Sequence, residues 1–516
     1  MQIRDTAVAT PDKPAVIMYP TGTVVTFGEL EARANRLAHL FRDAGLVEGD
    51  AVAILMENNE HFHAVMWAAR RAGLYYVPIN THLTAAEVAY IVDNSGAKAL
   101  IGSVKLIDTL AGLAAELPGG LPPVRLIAGG TESSAAGSAG VLDDWQSYPE
   151  CVADKPDTPI PDEIEGDLLQ YSSGTTGRPK GIKRELPHVP PAESPGLMAA
   201  LVSFWMRPDA VYLSPAPLYH TAPSVWSMQT QAGGITTVVM EKFDPEGALD
   251  AIAEHKVTHG QFVPVMFTRM LKLPEQVRNS YDVSSLERVM HAAAPCPVEI
   301  KKQMIDWWGP IVDEYYASSE AHGSTLISAE EWLQHPGSVG KPLAGVIHIV
   351  GEDGQELPAG QAGEIYFEGG FDFEYLNDPD KTASSRHPLG WKTVGDIGYL
   401  DDEGYLYLTD RRHHMIISGG VNIYPQEAEN LLVTHPRVMD AAVFGVPDDE
   451  MGQRVKAVVQ TVDPADATEE FAGELIAWLR DRLAHYKCPR SLSFEAQLPR
   501  TDTGKLYKQE LIKKYS

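Results

Sequence analysis

The densest chemistry in the chain lies in Tyr171-Ser-Ser-Gly-Thr-Thr-Gly-Arg-Pro-Lys-Gly181. This stretch holds two Ser, two Thr, three Gly and two cations, with no large apolar side chain after Tyr171. The apolar run Leu168-Leu-Gln-Tyr171 leads into it like the end of a strand. Gly174 and Gly177 allow positive φ and close approach of the backbone to a ligand. Successive N–H groups, with the hydroxyls of Ser172, Ser173, Thr175 and Thr176, then face one concavity, which suits an oligophosphate. Lys180 adds a point charge and Arg178 a second cation. A flexible linker would have the same Ser/Gly composition, but the cations and the preceding strand weigh against one. The mononucleotide P-loop is excluded, because it needs Gly-Lys followed by a Ser or Thr that holds magnesium. Here Pro179 precedes Lys180 and Gly181 follows it, so a metal ligand must come from elsewhere.

Glu320 is the candidate for that ligand. In Asp313-Glu-Tyr-Tyr-Ala-Ser-Ser-Glu320 a strand ends in an aromatic, then hydroxyls, then a carboxylate. Hard oxygen ligands suit magnesium, Ser319 can donate to a phosphate, and Tyr316 can stack on a base. A strand end running into a helix cap would look the same. Four further stretches carry polar groups next to apolar runs: Pro215-Ala-Pro-Leu-Tyr-His220, His291-Ala-Ala-Ala-Pro295, Trp391-Lys-Thr-Val-Gly-Asp396 and Leu498-Pro-Arg-Thr-Asp-Thr-Gly-Lys505. A carboxylate after a strand, as at Asp396, can accept both hydroxyls of a ribose. A lone His such as His220 is more often structural, and a lysine near the end of a chain is more often a solvated charge.

Elements of regular structure must position these groups. A helix is predicted after a Thr26 cap, with Leu30, Ala34, Leu37 and Leu40 at helical spacing. Strand 51–56, helix 58–73, strand 74–78, helix 84–94 and strand 98–101 follow. Strands are also predicted near 211–214, 235–240, 257–263, 288–293 and 311–316. This alternation implies two doubly wound α/β halves, whose sites form at the carboxyl ends of strands. The opening residues read as a turn-rich strip and 129–140 as a surface loop. Residues 343–410 read as antiparallel β structure, and 411–516 as a small α+β domain with a long helix over 468–486. The expected fold class is therefore α/β: a large N-terminal domain over 1–410, of two halves plus a β subdomain, and a small α+β domain over 411–516.

The chain has 516 residues, 44% hydrophobic and 22% charged, which makes it globular and large enough for more than one domain. A formal charge of −28 argues against nucleic acid or an anionic membrane as the main partner. Cys151, Cys296 and Cys488 are too scattered for a disulfide framework or a zinc site. A reducing cytoplasm is the expected compartment. The N-terminal residues lack the apolar core of a signal peptide, and no run of about 18 apolar residues suggests a membrane span.

Taken in order, these motifs resemble the adenylate-forming superfamily, and within it the acyl-CoA synthetases. The resemblance covers about residues 20–511 and implies a reaction. A carboxylate attacks Mg-ATP to give an acyl-adenylate and pyrophosphate; coenzyme A then displaces AMP. It also implies residue roles. Ser172 to Gly177 and Lys180 bind phosphates, Glu320 holds Mg2+, and Asp396 and Arg411 contact ribose. Ala294, Pro295 and Tyr316 border adenine, while His220 sits beside the acyl carboxylate. His413 falls at the hinge, with His413-His414 replacing the usual pair. Ser418, Gly419 and Gly420 face coenzyme A, and Lys505 neutralises charge as the adenylate forms. Ala317 and Ser319 depart from the family's Gly and Thr; Ser319 keeps the hydroxyl. The acyl pocket is expected from His220, Trp226, Phe262, Val263 and Ala292. The stretches 219–226, 262–266 and 291–296 contain no Lys or Arg, which favours a bulky apolar acid (medium- or long-chain fatty, aromatic or steroidal) over a dicarboxylate. A stand-alone adenylation enzyme loading a carrier protein is the alternative, and a homodimer is left open.

Overall fold

The computed structural model describes residues 2–129, 144–172, 179–194, 205–411, 415–418, 421–448, 450–500 and 506–516, with the backbone alone at 410, 411 and 422. The chain forms two compact units, residues up to 261 with 372–382, and residues 262–371 with 383–516.

The first unit contains a parallel sheet in the spatial order Gln146–Ser147, Val124–Ala128, Ala97–Ser103, Ala51–Leu55, Tyr75–Pro78, Asp167–Leu168. Strand Ala51–Leu55 is buried at every residue. Val52 and Ile54 pack into one core with Phe41 and Trp67, whereas Ala53 and Leu55 pack into another with Val77 and Leu100. Two covered faces explain why its sequence is a continuous apolar run. The flanking helices start where capping chemistry puts them. Thr26 Oγ1 accepts from Glu29 N (3.2 Å) and the Glu29 carboxylate accepts from Thr26 N (2.9 Å), opening helix Phe27–Asp43. Thr84 and Glu87 open helix Ala85–Asn94 in the same way.

A second sheet in this unit runs His259–Phe262, Val211–Ser214, Thr236–Met240, Pro14–Tyr19, Val24–Thr26. Its third-to-fourth pairing corrects the expected turn-rich opening. Residues 14–19 are a strand parallel to Thr236–Met240, and Ile3–Ala9 is a helix. Only that long-range pairing distinguishes Pro14–Tyr19 from an apolar turn. Of the predicted loop 129–140, residues 130–140 lie outside the described ones. A small antiparallel sheet joins Gln170–Ser172, Lys180–Lys183 and Glu374–Tyr375.

In the second unit, parallel strands Arg288–His291 and Val312–Ala317 continue into antiparallel strands Ser324–Ile327, Ser338–Ala344, Leu406–Arg411, Asp396–Leu400, Gly363–Glu368 and Val346–Val350. The antiparallel reading of 343–410 misses helix Pro379–Ser384, and residues 372–382 belong to the first unit. The C-terminal sheet runs Val421–Ile423, Ile416–Ser418, Gly452–Thr461, Val438–Asp448, with Ser491–Phe494 pairing in parallel to Gly452–Thr461. Helix Glu469–Arg480 stops short of the expected residue 486. Ala484 turns extended (ψ 133), and the short turn His485–Lys487 delivers Cys488 into the core.

Candidate active site

The hairpin that leads into the first motif is pinned on both sides. Ser172 lies opposite Lys180 and Tyr171 opposite Gly181. The Tyr171 hydroxyl donates to Asn94 Oδ1 (2.7 Å), and burial pushes that phenol up from its ordinary range. A Cβ on Gly181 would stand 2.9 Å from Tyr171 Cζ and 3.2 Å from Leu376 Cβ, so glycine permits this close packing. Residues Ser173, Gly174, Thr175, Thr176 and Gly177 lie outside the described ones, as do His413, Gly419, Gly420 and Lys505.

Lys180 has partners that sequence reasoning missed. Its Nζ lies 3.6 Å from Asp378 Oδ2 and 5.9 Å from the centre of the Tyr375 ring. The available signal was Asp378-Pro379, the cap and first turn of helix Pro379–Ser384.

His220 precedes helix Thr221–Ala232, which starts at its C=O. Buried Asn58, also missed, fixes the approach to it. Its amide donates to Ala216 O (3.2 Å) and Met240 O (2.8 Å) and accepts from Leu218 N (2.8 Å). The helix predicted from Asn58 begins only at Phe62. Gln170 Nε2 donates to Tyr219 O (3.2 Å), linking strand Gln170–Ser172 to the His220 motif. Trp226 is buried and stacks on Trp205 at 6.0 Å.

In the second unit, Tyr316 and Asp396 come together. The Tyr316 hydroxyl donates to Asp396 Oδ2 (2.8 Å) across eighty residues of chain. Asp396 lies opposite Arg411 in the strand register, so the two residues assigned to ribose are neighbours. Ser319 is half-buried and Glu320 buried, just beyond the strand bearing Tyr316. Their turn is tightly backed. A Cβ on Gly370 would stand 2.2 Å from His322 O, and one on Gly323 would stand 2.0 Å from the Phe367 ring. Burial holds His322 below its ordinary range, and its Nδ1 lies 2.9 Å from Ser318 Oγ. Among the described residues, no group of three or more His, Cys, Asp or Glu could hold a metal alone. One carboxylate with phosphate and water is the usual magnesium arrangement, and Glu320 fits it.

Ala292 is buried, Ala294 half-buried and Pro295 exposed, at the carboxyl end of strand Arg288–His291. Ala293 has φ 74, a left-handed conformation uncommon for alanine. Behind this strand end, buried Lys301 Nζ lies 2.8 Å from Glu314 Oε2, and His291 Nε2 lies 3.4 Å from the same oxygen. Phe262 and Val263 are buried, with the Phe262 ring 5.7 Å from both Phe267 and Trp308. Ser418 is buried at the end of strand Ile416–Ser418.

A nucleotide-handling α/β enzyme is the class these features define. The AMP-binding enzyme family matches residues 3–372, and the AMP-binding enzyme C-terminal domain matches residues 427–505. A feruloyl-CoA synthase from Amycolatopsis sp is 34% identical over 498 residues, 96% of this chain and 94% of its own. A long-chain-fatty-acid–CoA ligase from Mycobacterium tuberculosis is 31% identical over 100% of this chain and 98% of its own. The ATP-bound crystal structure of MatB from Rhodopseudomonas palustris matches with TM-score 0.78 at 27% identity, over 100% of this chain and 99% of that one. The chain belongs to the AMP-binding enzyme family, in the adenylate-forming superfamily, and is an acyl-CoA synthetase of the AMP-forming type with a large N-terminal and a smaller C-terminal domain. No helix among the described residues is long and apolar enough to cross a membrane.

Proposed function

We propose that the chain converts a bulky apolar carboxylic acid, ATP and coenzyme A into the acyl-CoA, AMP and pyrophosphate. The observation that carries the nucleotide half is the Tyr316–Asp396 hydrogen bond, with Arg411 opposite Asp396 in register. It joins a base-stacking ring to a ribose-binding carboxylate from two strands that are not neighbours in the sheet. A carboxylate cannot acylate a thiol directly, because its leaving group would be oxide. Its oxygen therefore attacks the α-phosphorus and pyrophosphate departs, which makes AMP the later leaving group. Positioning and charge neutralisation drive such chemistry. Ser172, Ser173, Gly174, Thr175, Thr176, Gly177, Lys180 and Lys505 supply them, and Glu320 and Ser319 complete the phosphate side. Magnesium held by Glu320 would screen the phosphate charge. His220 orients the acid. The thiol of coenzyme A, led past Ser418, Gly419 and Gly420, then attacks the acyl carbon and AMP leaves. A domain boundary at 411 with a hinge at His413 would let the small domain serve both steps.

The acid class is supported by buried Trp226 stacked on half-buried Trp205, by buried Phe262, Val263 and Ala292, and by the absence of Lys and Arg from 219–226, 262–266 and 291–296. The relatives named for feruloyl-CoA and for long-chain fatty acids act on acids of this kind. The test offers the enzyme Mg-ATP, coenzyme A and a pooled panel of fatty, aryl, cinnamic and steroidal acids, with mass analysis of products. AMP with a thioester of one apolar class is the expected result. ADP would overturn the reaction, a dicarboxylate thioester would overturn the acid class, and acyl-adenylate without thioester would make a carrier protein the acceptor.

A further inference from the structure

The segment 372–382 leaves its chain neighbours to pack in the first unit, against the strand that begins at Lys180. Leu376 N donates to Gly181 O (2.8 Å), Ile182 lies opposite Tyr375, and Lys183 pairs with Glu374 at 3.5 Å. Asn377 takes a left-handed turn (φ 58), and its side chain donates to Asn94 O (3.2 Å). Asp378 follows, immobilised at a helix start. Its Oδ1 accepts from Lys381 N (3.0 Å), and its C=O accepts from Thr382 N (3.1 Å) and Thr382 Oγ1 (3.0 Å). The Thr382 hydroxyl in turn accepts from Tyr375 N (2.9 Å). Capping thus occupies one carboxylate oxygen and leaves the other, Oδ2, facing Lys180 Nζ at 3.6 Å. The Tyr375 ring lies beside two ammonium groups, Lys180 at 5.9 Å and Lys381 at 5.8 Å.

We infer that Asp378 is the resident counter-ion of Lys180, a carboxylate that the phosphates of ATP displace from the lysine. The inference rests on the reading of Lys180 as a phosphate ligand. A lysine is a flexible, strongly hydrated point charge. Held beside a fixed carboxylate and an aromatic face, it keeps one direction before nucleotide arrives. The same carboxylate must be outcompeted by phosphate, so it weakens the bound state of ATP and of pyrophosphate alike and helps the latter to leave. The pair is partly solvated, with side-chain exposures of 23% and 38%, so the effect is modest.

Asp378→Asn keeps the cap and the volume while removing the charge, and Asp378→Ser removes the charge with a smaller residue that can still cap. Calorimetric titration of the full chain with Mg-ATP and with pyrophosphate reads Kd for the wild type, D378N, D378S, K180M and D378N/K180M. K180M should weaken both ligands. D378N and D378S should tighten both by about two- to five-fold at low ionic strength, less at high salt, and not at all in the K180M background. If K180M leaves Kd unchanged, the phosphate reading of Lys180 falls. If K180M weakens binding but D378N and D378S do not tighten it, the counter-ion assignment falls. Tightening that persists without Lys180 would also overturn it, since the charge would then act on the ligand generally.

Discussion

Lys301→Met tests what holds the strand ends at 291–295 and 316–320 in place. Lys301 is fully buried, its Nζ 2.8 Å from Glu314 Oε2 and 4.8 Å from the Trp332 ring centre. His291 touches the same carboxylate but cannot replace the lysine at neutral pH, because burial and the nearby Lys301 charge hold its imidazole well below the ordinary range. Removing one member of a buried pair strands the other charge and costs about 3–5 kcal/mol, whereas neutralising both costs far less. K301M should therefore lose about that much, and K301M/E314Q should recover most of it. Burial already raises the Glu314 pKa, and loss of Lys301 raises it further. A carboxyl whose folded pKa exceeds its unfolded value binds its proton more tightly when folded. Its stability contribution therefore falls as pH rises from about 4.3 towards the folded value. The K301M defect should be small near pH 5 and large at pH 8. Hydrogen exchange by mass spectrometry in Arg288–His291 and Val312–Ala317 reads the change locally, as an acceleration on the order of 10² or more. A K301M defect under about 1 kcal/mol, or a double variant as unstable as K301M at pH 8, would refute the argument.

Three smaller perturbations follow from the same structure. Ala293→Gly relieves a left-handed alanine (φ 74) and, net of the added freedom of the unfolded chain, should stabilise by about 0.5–1 kcal/mol, seen as a raised melting temperature. Tyr316→Phe removes the donor to Asp396 and should weaken ATP several-fold, about 1 kcal/mol, by calorimetry. Asp396→Asn should cost more, and the double variant no more than Asp396→Asn alone. Lys272 donates to Val438 O and His435 O, and burial lowers its pKa to about 8. The folded chain releases this proton near pH 8 and the unfolded chain near 10.4, so stability should rise with pH across that window. Urea midpoints for Lys272→Met should lack this rise.

Local chemistry was legible in the sequence, and register was not. The run Ala51-Val-Ala-Ile-Leu-Met56 announces a strand covered on two faces, and the pairs Thr26/Glu29 and Thr84/Glu87 announce helix starts, because each depends on residues within a few positions. Tyr316 and Asp396 were each expected on the nucleotide side from their own local motifs. Their hydrogen bond was not, since it depends on how strands from residues 312 to 411 align. Asn58 looked like the start of a helix, yet its amide serves backbone groups at residues 216, 218 and 240.

The segment 372–382 makes the same point with a charge. In chain order it lies inside a run of antiparallel strands, and nothing in Asn377-Asp-Pro-Asp380 beyond a helix cap marks it for a place beside Lys180. Its position follows from strand Glu374–Tyr375 pairing with Lys180–Lys183, from Gly181 leaving room for Leu376, and from Asn377 accepting a left-handed turn. Each of these is individually weak, and together they set a fixed carboxylate 3.6 Å from a lysine nearly two hundred residues earlier. The chain thus supplies Lys180 by a local motif and its carboxylate partner from a distant one. That division is physically reasonable, because a phosphate loop needs a reserve of positive charge while a partner on a separate segment can be exchanged for substrate without rebuilding the loop.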